Sequence, residues 1–123
     1  MQLTLTTKIE ISEEALQDVL TTACEGGIDY WADGKVQRND ERIVSALLWE
    51  REDPQVRFTV DTGSVFIGIQ RLHDEITAGT IPAGCEIATQ LRDMLFGEGI
   101  EYADATLADT IIQMATLGEV RYG

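Results

Sequence analysis

The chain has 123 residues, 44% of them hydrophobic and 25% charged, the balance of a single folded globular domain over 1–123 rather than of a disordered chain. Twenty-two acids against nine bases give a formal net charge of −13, which excludes nucleic acid as a direct ligand. No apolar run approaches the roughly 20 residues that cross a bilayer, and MQLTLTTKIEIS lacks the basic-then-apolar plan of a signal peptide, so no membrane role and a cytoplasmic location are expected.

In chain order, Leu3, Leu5, Ile9 and Ile11 alternate with Thr4, Thr6, Lys8 and Glu10, which predicts a strand with one buried face. Ser12 before Glu13 and Glu14 is an N-cap with two acids at the positive end of a helix dipole. Leu16, Val19, Leu20, Ala23 and Cys24 share one face, predicting a helix over about Glu13–Glu25, with Gly26 as its positive-φ terminator. The stretch Asp33–Arg42 is polar and predicts an irregular loop. Ile43–Trp49 and Val56–Val60 flank a turn containing Asp53-Pro54 and predict a hairpin, the alternative for the first being a short helix.

From Asp61 the period changes to helical. Val65, Ile69, Leu72 and Ile76 share a face up to Ala78-Gly79, Ile87 to Leu95 mark another helix, and Leu107 to Ala115 a last one, begun by Asp104 or Thr106 and closed by Gly118. Glu119–Gly123 is compatible with a final edge strand. The expectation is an α+β fold, a small antiparallel sheet of about three strands with about four helices packed mainly on one face.

Chemistry-bearing signals are few. Cys24 and Cys85 lack metal or redox spacing and predict buried free thiols. With His73 the sole histidine, no metal and no cofactor is expected. Asp61-Thr62-Gly63 after a strand resembles the turn of aspartic peptidases, where two carboxylates share a proton; a chain this short would need to be a homodimer. Against that stands Asp61 or Ser64 as a simple helix cap, so Asp61 is the only and weak catalytic candidate, and the expectation is that the chain is not an enzyme. Ser64 and His73 lack a nucleophile-elbow context, the pairs Glu98/Glu101 and Asp104/Asp109 lack the spacing of a calcium loop, and no phosphate-binding glycine loop is present.

The candidate binding residues lie at two ends. Glu25-Gly26-Gly27-Ile28-Asp29-Tyr30-Trp31-Ala32 places two large rings beside acids and glycines, either as core or as an aromatic wall for a ligand or partner. Asp104–Asp109, Gln113 and Leu117-Gly118-Glu119-Val120-Arg121-Tyr122-Gly123 form the second half. Together these motifs resemble a family of small acidic proteins carried by tailed bacteriophages and prophages. Between Asp33 and Ile100 only the helix with Gly68 is comparable, and Leu117 stands where such proteins often carry an aromatic. The resemblance implies a phage accessory role but transfers no activity. It makes Glu25, Tyr30, Trp31, Asp109, Gln113 and Tyr122 the positions to watch, with Asp29 beside them.

Both halves pair polar groups and rings with a glycine, so they are expected to meet, with Gln113 or Asp109 hydrogen-bonded to the Glu25–Trp31 turn, either as a site or as a buried polar network that locks the C-terminal helix to the first helix. The function expected first is a binding protein that engages a host or phage protein, a basic or DNA-binding partner being compatible with the charge, and polyanion mimicry being one form of it. The alternative is a small-molecule-binding, sponge-like protein using Tyr30 and Trp31.

Overall fold

A computed structural model describes residues 10–96 and 104–123. The fold is α+β, and the described residues form a three-stranded antiparallel sheet, ordered β1-β2-β3, and four α-helices. Helix α1 spans Glu13–Thr22, and the Ser12 side chain accepts from the Ala15 amide at 3.1 Å to cap it. It buries Ala15, Leu16, Val19 and Leu20. The helix then widens into one π turn, Ala23–Gly27.

Here the structure corrects one expectation. Gly26 has φ 163°, extended rather than left-handed, because the chain leaves the helix through the wider turn instead of a left-handed cap. The nearby glycine that matters is Gly27. A Cβ there would lie 2.9 Å from the Ala105 carbonyl oxygen, so its absence lets the start of the last helix approach.

The sheet consists of β1 (Ala32–Asn39), β2 (Arg42–Glu50) and β3 (Asp53–Asp61). The predicted loop over Asp33–Arg42 is therefore mostly a strand, paired with β2 from Ala32↔Glu50 to Asn39↔Arg42. Seven of its eight residues face solvent, so it carries no alternating apolar signal. In β2, Ala46, Leu48 and Glu50 point to the buried face. The hairpin of β2 and β3 forms as expected, with Leu48 opposite Phe58 and Ala46 opposite Val60. The strand expected over Leu3–Ile11 falls almost wholly on residues 1–9, outside the described residues. Glu119–Gly123 is not a strand.

Helix α2 (Thr62–Ala78) opens with a reciprocal capping box between Asp61 and Ser64 and closes at Gly79, φ 82°. Helix α3 spans Glu86–Phe96, and α4 spans Ala105–Thr116 with Asp104 as its cap. Helix α1 covers β2, while α2 and α4 lie against β3 and against each other. From Leu107 to Met114 every residue of α4 is buried, so it is the central helix, enclosed on all sides. Its polar residues Asp109, Thr110 and Gln113 must therefore find partners inside the protein. No helix among the described residues is long and apolar enough to cross a membrane.

Candidate functional site

Asp109 and Gln113 lie one turn apart on α4 and so share a face. That face meets the segment after the π turn on one side and the C-terminal strap, Leu117–Gly123, on the other. The Trp31 indole N–H donates to Asp109 Oδ1 at 2.8 Å, and the Tyr30 hydroxyl donates to Oδ2 at 2.5 Å. Gln113 Nε2 donates to Asp109 Oδ1 at 3.0 Å and to the Tyr122 carbonyl at 3.1 Å, and lies 3.4 Å from the Tyr30 hydroxyl. Its Oε1 accepts the backbone N–H groups of Arg121 and Tyr122 at 2.8 and 2.9 Å. Gln113 is 0% exposed. An amide is the side chain suited to this position, because one end must face two donors and the other two acceptors.

The strap is held at a second point. The Tyr122 ring stacks on Trp31 with centroids 5.3 Å apart and planes 7° from parallel. Its hydroxyl donates to Glu50 Oε2 at 2.5 Å, and Arg121 Nη1 donates to Glu50 Oε1 at 3.1 Å. Glu50 is thus a buried carboxylate with two donors, one of them charged.

Five of the seven candidate binding residues come together: Tyr30, Trp31, Asp109, Gln113 and Tyr122. Two do not. Glu25 is exposed and pairs with Arg38 at 3.0 Å, and Asp29 is exposed on the turn. Glu50, outside both motifs, and Arg121, inside the second but not among the seven candidates, complete the cluster. The period-two pattern Ala46, Leu48, Glu50 does place Glu50 on the core face, a signal its charge obscured.

The environment fixes protonation. Burial, and then the hydrogen bond to the Asp109 carboxylate, push the Tyr30 phenol up to about 12. The hydrogen bond to Glu50 raises that of Tyr122. Both phenols therefore remain neutral donors at physiological pH. Burial pushes the Cys24 thiol up to about 11, partly offset by the Arg38 guanidinium, which keeps it an unreactive thiol.

Chemically the cluster is a closed lock. Both oxygens of Asp109, both ends of the Gln113 amide, the Trp31 N–H and the hydroxyls of Tyr30 and Tyr122 have partners within the chain. Trp31 is 3% exposed, whereas Tyr30 is 53% exposed. Asp61, the catalytic candidate, accepts from the Ser64 amide at 3.0 Å as the N-cap of α2. Compared with protein-family models, curated proteins and solved structures, the chain matches none of them.

Proposed function

We propose that the chain is a non-enzymatic interaction protein, an accessory protein of a tailed phage or prophage that acts by engaging a host or phage protein. The observation that supports this reading is the closure of the polar-aromatic cluster. Residues of the two terminal motifs spend their hydrogen bonds on one another, so the motifs build a rigid scaffold and leave recognition to the surface. Tyr122 covers the Trp31 face on which a ligand ring would stack, which favours a protein partner over a sequestered small molecule. Asp61 is engaged in capping a helix, which favours a binding role over peptidase chemistry. Carboxylates occur on every helix, from Glu13 and Glu14 on α1 to Asp104 at the start of α4. That supports a diffuse negative field that attracts a basic partner more than a single row of charges imitating duplex phosphates.

The test is affinity purification of the tagged full chain from uninfected and phage-infected cells, followed by reconstitution from purified components. The expected result is a stoichiometric complex with one protein, weakened by salt. A chain that elutes alone from both sources, and is stabilised by a nucleotide or other small molecule in a thermal-shift screen, overturns the proposal.

A further inference from the structure

We infer that the exposed Phe66–Ile67 face of α2 is the docking surface for a basic protein partner, which seats an apolar side chain against Phe66. This inference rests on the interaction-protein reading above. Helix α2 buries Val65, Gly68, Ile69 and Leu72. On its other side Phe66 and Ile67 are 45% and 48% exposed, and neither joins the core cluster. Single exposed apolar residues are ordinary. Here two large ones are adjacent in the first turns of one helix, while the exposed positions of the next two turns, Gln70, Arg71, His73 and Asp74, are polar.

The helix end that carries the pair is held rigidly. The capping box of Asp61 and Ser64 fixes its first turn, and the Thr62 hydroxyl bonds Glu13 of α1 at 2.5 Å. An aromatic on a fixed backbone has only two side-chain torsions to order on binding, which suits a hot-spot residue.

Charge selects the partner. Asp61 and Glu13 flank the pair at the helix start, and Asp74 follows it, tied to Gln70 at 3.0 Å. The one arginine of this helix, Arg71, is exposed but engaged: it donates to the Met114 and Ala115 carbonyls at the end of α4. An apolar centre with an acidic rim complements an apolar anchor flanked by Lys or Arg. A second copy of the chain, itself carrying −13, is disfavoured as the occupant.

The experiment places the photo-cross-linker benzoylphenylalanine in the full chain in place of Phe66 or, as controls on the outer sheet face, Gln37 or Thr59, and irradiates phage-infected cells. Cross-linking from position 66 alone to one protein of pI above about 9, with its affinity for the purified Phe66→Ser/Ile67→Ser variant at least about tenfold weaker and falling between about 50 and about 300 mM salt, supports the inference. The double variant must retain the unfolding temperature of the parent; Ile67→Ser alone serves where it does not. A product formed from position 37 or 59 only, or unchanged affinity in the variant, overturns this surface while leaving the interaction reading intact. Cross-linking to a second copy or to an acidic protein overturns the basic partner. No product from any position overturns this surface, and the interaction reading is then decided by the affinity purification.

Discussion

Gln113 is the residue on which the terminal strap depends. Its amide holds the backbone of Arg121 and Tyr122 and simultaneously gives Asp109 its third donor. Gln113→Leu keeps the volume and removes every one of these bonds. The strap amides can turn to water once it lifts, but Asp109 stays largely buried. The expected loss is therefore about 1–3 kcal/mol in urea unfolding, together with faster amide exchange at Arg121 and Tyr122. Equal exchange of those two amides in parent and variant would show that something else holds the strap. The phenols give a second prediction. Tyr30 holds its proton more tightly folded, near 12, than unfolded, near the ordinary value of about 10. Its contribution is complete below about pH 10 and is lost as pH rises toward about 12. Ultraviolet titration should show late ionisation of Tyr30 and Tyr122, and Tyr30→Phe and Tyr122→Phe should each remove one late step. Ionisation of all three tyrosines near the ordinary value would contradict the two carboxylate contacts.

Among the elements, those with an apolar period were legible in the sequence and those without were not. Helix α2 and its cap follow directly from Asp61, Ser64 and the Val65–Leu72 spacing. Strand β1 did not, because an edge strand with both sides wet is specified by its hydrogen bonds to β2 and not by its own side chains. The expected terminal strand failed for a different reason: the backbone donors of Arg121 and Tyr122 are taken by the Gln113 side chain instead of by a neighbouring strand. Packing between elements was legible only in part. A Cβ on Gly68 would be driven into the Ile111 carbonyl and would crowd Ala115 at 3.1 Å, so this glycine sets how closely α2 and α4 approach. Gly68→Ala should cost about 1–3 kcal/mol by forcing the helices apart. Gly84→Ala, where a Cβ meets nothing within 4 Å, is the matched control and should leave the unfolding temperature nearly unchanged. Equal effects of the two substitutions would remove Gly68 from this role.

At the scale of the whole molecule, the α+β class followed from the order of periods, strands early and helices late, even though the individual strands were partly misassigned. The meeting of the two terminal motifs was also legible, because both pair rings and polar groups with a glycine beside a helix end; that Asp109 and Gln113 share one face of α4 is what joins them. The surface was less so, since exposure of Phe66 and Ile67 depends on which side of α2 the core takes. Net charge is the property read most directly, and it carries the last prediction. Twenty-two acids held in one compact chain repel each other more when folded than when the chain expands. The exposed ion pairs, such as Arg38–Glu25 and Arg51–Asp33, offset this only slightly. Salt shortens the range of both effects, to about 8 Å at physiological strength, and the repulsion involves many more pairs. The unfolding temperature should therefore rise as sodium chloride is added up to about 0.5 M. A fall over that range would mean that the few ion pairs outweigh the excess of negative charge.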